Sequence, residues 1–203
     1  MAETKKKKYI ITVNRQFGSL GRPAAEKAAE LLGIAFYDRD IVERAAKSAN
    51  ISVHEASELD EKPASFFRMQ YPLGMGPMGS QDAVFKAQRQ FIIDRASVES
   101  CIIVGRCSDF ILKDMPDLLR LYIYGSYQHR LSNCVHDLHM ENKDAMRMIR
   151  SVDKARDKFH QEYAGYLPSD RDHCDVQLSS DGLTVDELAA MIAQIAKVKF
   201  GLN

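Results

Sequence analysis

Between two patterned segments of this chain lies the stretch Gln16-Phe17-Gly18-Ser19-Leu20-Gly21-Arg22-Pro23. The run before it, YIITV at residues 9–13, is apolar and β-branched. The stretch after it, from about Pro23 to Leu32, carries Ala25, Ala28, Ala29 and Leu32 along one helical face. Pro23 sits in the first turn, where a helix tolerates proline, and Gly33 sits where a C-terminal cap belongs. A glycine-containing loop between strand and helix suits one chemistry well: backbone N–H groups and the positive end of the helix surround an anion. Set against the pattern GxxxxGK[ST], Gly21 is in register and Arg22 takes the place of the lysine. Gln16 replaces the first glycine, and Pro23, followed by Ala24, replaces the metal-binding hydroxyl. Ser19 is the one hydroxyl inside the loop that stands as a substitute. Gly18, Ser19, Leu20, Gly21 and Arg22 are therefore expected to hold phosphate, and the competing reading is a plain strand-to-helix turn of a Rossmann-like domain.

The elements around this loop follow from periodicity and punctuation. IAFYD (34–38), CIIVG (101–105), LLRLYIY (118–124) and DVQLS (175–179) read as four more strands. Helical patterns separate them: about 39–49, one capped by Ser52 with Glu55 in the capping-box position, 81–98, 127–138, 142–163, and 184–199 with Thr184 as N-cap and Glu187 completing a box. Residues 71–80, YPLGMGPMGS, read as a loop. Strands alternating with helices predict an α/β fold, a five-stranded parallel sheet with helices on both faces. Ligands in such sheets bind at the carboxyl ends of the strands, which directs attention to loops 14–22, 38–44, 105–110 and 124–130.

Composition narrows the classes. The chain has 203 residues, no net formal charge and 45% hydrophobic residues, which suits a single domain with an ample core. That charge balance gives no reason to expect nucleic acid or an anionic membrane as partner. Lys5 to Lys8 read as a solvated tail. No apolar run approaches a membrane span. Cys101, Cys107, Cys134 and Cys174 form no Cys-x-x-Cys pair and read as reduced thiols, with a cytoplasmic location expected. His136, His139 and Cys134 lack the compact spacing of a zinc site, so no structural metal is expected. Cys107, next to Arg106, reads either as a reactive thiol or as a buried inert one.

Several segments together resemble the cytidylate-kinase-like family, a branch of the P-loop nucleoside monophosphate kinases. ITVNRQFGSLGRPAAEKAAELLGIAFYDRDIV is similar to that family's opening Ser-Arg-Glu-Phe-Gly-Ser-Gly-Gly-Arg, in which arginine stands at the lysine position. Asp38 and Arg44 hold the spacing of an aspartate and a monophosphate-binding arginine. VFKAQRQFIIDRASVESCIIVGRCSDFIL is similar to a Gln-Arg-x-Phe helix leading into Gly-Arg-Asp; Gly105 and Arg106 match, Cys107 replaces the aspartate, and Asp109 is a stand-in. Arg130 in RLYIYGSYQHRL falls on a lid arginine, and IRSVDKARDKF resembles Arg-Asp-x-x-Asp-x-x-Arg, with Asp153 and Arg156 in place and Arg150 one residue off.

The resemblance implies an ATP-dependent kinase with Mg²⁺ and a small-molecule nucleotide acceptor, CMP or dCMP. It implies one domain over residues 1–203, with a tail over 1–8, an acceptor region over about 38–100 and a lid over about 127–163. Arg22 would hold donor phosphates, and Arg130 and Arg150, with Arg147 nearby, would close over the transferring group. Asp38, Arg44, Arg106, Asp109, Asp153 and Arg156 would bind the acceptor. Arginine suits these tasks because its planar fork holds two phosphate oxygens; taken singly, each of these arginines also reads as a solvated surface charge. The altered loop (Gln16, Pro23, Ala24) leaves open a nucleotide-binding regulatory module, and Cys107 leaves open a non-nucleotide acceptor. Oligomeric state is not legible.

Overall fold

The computed structural model describes residues 8–38 and 78–202. The expected helices at 39–49 and from Ser52, and most of the loop at 71–80, lie outside the described residues. Five strands are described: β1 Ile10–Arg15, β2 Ala35–Tyr37, β3 Cys101–Val104, β4 Leu118–Tyr124 and β5 Val176–Ser179. The helices are α1 Gly21–Leu32, α2 Met78–Val98, α3 Ser108–Ile111, α4 Tyr127–His136, α5 Asn142–Ala164 and α6 Val185–Phe200. All pairings are parallel and the order is β2-β3-β1-β4-β5. β1 is thus central, with Val13 beside both Val104 and Leu121, so the loop leaving its carboxyl end emerges in the middle of the sheet edge.

Period-two alternation divides the sheet into two faces. Ile11, Val13, Ile102, Val104, Leu119, Leu121 and Ile123 meet α1 and α6. The contact stripe of α1 is Ala24, Ala25, Ala28 and Ala29, small enough for Leu188, Ile192 and Ala196 of α6 to join the same core. Thr184 and Glu187 form the expected capping box at the start of α6. On the other face Ile10, Cys101 and Ile103 pack with Tyr37, Ile92 and Leu112. A third, smaller core joins α4 to α5 through Cys134, Met140, Ala145, Met148, Ile149 and Val152, and its remaining member is Phe17, from the loop after β1.

Boundaries moved where local chemistry outweighed pattern. α2 begins at Met78 and takes in the last three residues of the expected 71–80 loop. The four-residue helix α3 had no periodic signal. Among the described residues no helix is long and apolar enough to cross a membrane.

Candidate phosphate-transfer site

The loop Gln16–Leu20 leaves β1 and turns into α1 through two left-handed residues, Gly18 at φ 77° and Leu20 at φ 59°. Gly18 is required by packing. A Cβ there would sit 2.7 Å from the Arg130 carbonyl oxygen and 2.9 Å from the Cys134 Sγ, so only glycine lets α4 lie against the loop. No side chain caps α1, and its first turn holds no acidic residue. Its unpaired N–H groups therefore leave partial positive charge at the carboxyl end of β1.

Four arginines converge beside it. The Arg15 guanidinium lies at the end of β1 over Gly105, where a Cβ would come within 2.5 Å of its Nη1, and its Nη2 is 3.8 Å from Asp38. Arg22 donates through Nε to Asp38 and through Nη1 to Glu26 at 3.1 Å. Arg106 has φ 60°, a left-handed conformation that L side chains adopt at a cost. Arg156 donates to the Arg15 carbonyl at 3.0 Å and stands 3.8 Å from Asp153. Burial, then the charge of Arg15, pushes the Arg156 pKa down to about 9, and Arg106 adds to the repulsion. Burial also lowers the pKa of Arg15, with Arg22 contributing. Asp38 responds oppositely: burial alone would raise it, but Arg15, Arg22 and Arg106 hold it below the usual carboxylate range. Cations crowded at the positive end of a helix, with Asp38 and a shared Asp153 between them, make this the candidate seat for an anion.

Other expected site residues face elsewhere. The Ser19 side chain is fully buried; its hydroxyl donates to the Gln16 carbonyl at 2.9 Å, with the Ile123 carbonyl at 3.3 Å. The hydroxyl offered as a substitute for the missing metal-binding group is thus turned towards protein carbonyls. Asp109, expected beside the acceptor, is 3% exposed and accepts from His160 Nε2 at 3.0 Å and Tyr166 Oη at 2.9 Å, with Asn14 also bonded to it. Three protein donors thus hold this carboxylate inside the fold. Arg130 is buried and bonds Asp153 at 2.6 Å and the Phe17 carbonyl at 3.1 Å. Asp153 in turn accepts from the Phe17 N–H at 2.7 Å. Arg150 is exposed and, with Tyr127, Lys154 and Asp157, lines a cleft of about 460 Å³ beside that pair. A second cleft of about 360 Å³ is walled by Arg15, Tyr122, Tyr124, Arg156, Arg171 and Gln177. Arg147 pairs with Asp144 on the surface. Cys107 is buried, and burial pushes its thiol pKa up, which makes it the inert alternative. Arg44 lies outside the described residues.

Two residues were missed. Arg15 precedes the pattern window by one position, although the arginine of the family's Ser-Arg-Glu-Phe opening pointed to it. Asn133, which donates to the Gly18 carbonyl at 2.9 Å, left no signal of its own.

A central strand, a phosphate-type loop, a basic strand-end cluster and the order β2-β3-β1-β4-β5 define a P-loop kinase fold. The sequence pattern of the cytidylate kinase-like family matches residues 10–182, and the chain belongs to that family. Among solved structures it is similar to an uncharacterized protein from Eubacterium ventriosum, at 24% identity and TM-score 0.71, covering 94% of this chain and 99% of that one. It also resembles a shikimate kinase from Acinetobacter baumannii in complex with shikimate (15%, TM-score 0.53, 94% and 93% covered). A gluconokinase from Sinorhizobium meliloti is similar at 14% identity and TM-score 0.51, with 95% and 96% covered. No curated protein matches the chain. Family and fold together support phosphoryl transfer of the kinase type.

Proposed function

We propose that this chain transfers a phosphoryl group from ATP to a nucleoside monophosphate, with CMP or dCMP as acceptor. The observation that carries this reading is the convergence of Arg15, Arg22, Arg106 and Arg156 around Asp38 at the uncapped start of α1. Phosphoryl transfer asks for positioning and for positive charge around the moving group more than for covalent help. Arg22 and the amides of residues 18–22 would hold the donor phosphates, while Arg106, with Arg44, would hold the acceptor phosphate. Arg130, Arg150 and Lys154 line the cleft beside α4 and α5 and would close over the transferring group. Mg²⁺ would neutralise the donor phosphates. Mg²⁺ typically keeps several waters and few protein ligands, so the ion would be held chiefly by phosphate oxygens and water, with Asp38 a carboxylate that could orient it through water.

A second reading, nucleotide binding with weak turnover, is favoured by the inward Ser19 hydroxyl and by Pro23 in the metal-ligand position. A coupled ADP-release assay with Mg·ATP distinguishes the two. The acceptors are CMP, dCMP, UMP and AMP, together with shikimate and gluconate because kinases for which these are named share the fold. Turnover with CMP or dCMP, lost in Arg22→Ala, is the expected result. ATP binding with no turnover on any acceptor would favour the second reading. Turnover on a sugar or cyclic alcohol alone would overturn the nucleotide acceptor.

A further inference from the structure

The backbone of residues 15–18 is held from outside by side chains. The Arg15 carbonyl accepts from Arg156 at 3.0 Å, and the Gln16 carbonyl from Ser19 at 2.9 Å. The Phe17 carbonyl accepts from Arg130 at 3.1 Å, and the Gly18 carbonyl from Asn133 at 2.9 Å. The Gln16 N–H donates to the Ile123 carbonyl and the Phe17 N–H to Asp153. The Gln16 side chain, standing where the phosphate-loop pattern has its first glycine, accepts from the Gly125 N–H at 3.1 Å. All four consecutive carbonyls thus have a donor, Arg130 and Asn133 from α4, Arg156 from α5 and Ser19 from within the loop. Phe17 completes the fastening by filling the α4–α5 core at 4% exposure.

We propose that Asn133, together with the Arg130–Asp153 pair, is a positioning residue for the donor phosphates. It keeps the Gly18 carbonyl turned out of the seat, so that α4 and α5 shape a loop that glycines shape elsewhere. The proposal rests on the donor-phosphate reading of the loop. It separates these side chains from the acceptor: Asn133 reaches the loop backbone, and Asp153 is engaged by Phe17 and Arg130. Without the Asn133 donor, the Gly18 carbonyl loses a neutral hydrogen bond and can swing inward, where its oxygen would oppose a phosphate.

The test uses the full chain and two variants. Asn133→Ala removes the side chain, whereas Asn133→Asp keeps its volume and replaces the donor with an acceptor. Binding of Mg·ATP and of CMP is measured by calorimetry, and amide hydrogen exchange is followed over residues 16–21. Asn133→Ala should weaken Mg·ATP about threefold to tenfold, the worth of one net hydrogen bond, and Asn133→Asp, which sets a buried negative charge against the Gly18 carbonyl, should weaken it more. Both should speed exchange in the loop and leave CMP affinity within about twofold. Asn133→Asp retaining wild-type affinity and exchange would make the side chain a space-filler and overturn the proposal. So would a parallel loss of CMP affinity, or unchanged loop exchange in both variants. If the wild type binds no ATP, the kinase reading fails on its own account, and the exchange measurement still decides whether Asn133 fastens the loop.

Discussion

Arg156→Met should leave the ligand-free protein about as stable while removing its response to phosphate. In the folded chain the Arg156 guanidinium lies beside Arg15, and its pKa falls from 12.5 to about 9. At about 1.4 kcal/mol per pH unit this is a ceiling of about 5 kcal/mol of disfavoured charge. With 28% of the side chain still in water, screening takes back about half of it. Against that, the variant loses a charged hydrogen bond to the Arg15 carbonyl, worth about 1.5–3 kcal/mol, while methionine keeps much of the buried stem volume. The two effects nearly cancel, giving a net change between about −0.5 and +1 kcal/mol and a Tm shift between about −2 and +4 °C. The pH dependence has a definite sign. A base whose pKa is lowered by folding binds fewer protons in the folded state, so its penalty is full below about 9 and fades as pH rises above that value towards the ordinary arginine pKa. The wild type should therefore gain on the variant only as pH rises above about 9. An anion in the seat supplies the missing counter-charge. At a hundred times its Kd a ligand adds about 2.7 kcal/mol, or about 5–10 °C in a chain of this size, to the wild type and little to Arg156→Met. Scanning calorimetry of both proteins in phosphate-free buffer, and then with phosphate or ATP, reads all of this. A variant that loses several degrees without ligand yet keeps the full ligand shift would refute the idea that these arginines repel one another while awaiting an anion.

Phe17→Ala should cost about 3–5 kcal/mol by opening a cavity in the α4–α5 core, seen as a lower denaturant midpoint, with faster proteolysis in residues 127–164 than in the sheet. Gly105→Ala meets the Nη1 of Arg15 at 2.5 Å in a φ 75° conformation; about 1–2 kcal/mol of stability should go, and the displaced Arg15 should weaken phosphate binding in calorimetry. Ser19→Ala should leave the magnesium dependence of the reaction unchanged and lower stability by about 1 kcal/mol, since its hydroxyl serves a carbonyl; a changed magnesium requirement would return the hydroxyl to the metal. The His160–Asp109 pair should stabilise the fold only within a pH window. Burial opposes both charges, but Asp109 raises the pKa of His160 and His160 lowers that of Asp109. The contribution is thus full between the ordinary aspartate and histidine values. It is lost above the raised His160 pKa and again as pH falls through the lowered Asp109 pKa. The pH profile of Tm should flatten in His160→Gln.

The strand-and-helix order was legible because it rests on local rules. Leu118–Tyr124 and Cys101–Val104 are apolar runs bounded by polar residues, and Thr184 with Glu187 is a cap that needs only its own turn. The phosphate loop was legible for the same reason, being a strand, two glycines and a helix within one short stretch. What the residues of that loop do was decided by neighbours far along the chain. Ser19 turns inward because the Gln16 and Ile123 carbonyls lie there, and Asp153 turns to the loop because Arg130 and the Phe17 N–H offer it donors. Asp109 was read as a ligand-facing carboxylate on its sequence position, yet α5 brings His160 onto it across 51 residues. Arg15 ends a strand, and only in the fold do Asp38, Arg22 and Arg156 surround it. The sequence by itself determined the fold class, because periodicity, capping and turn chemistry act over a few residues, and its motifs in order along the chain carried the resemblance to the family. Which side chains face the anion and which hold the loop was decided by tertiary structure alone, because a hydrogen-bond partner is a matter of distance in space.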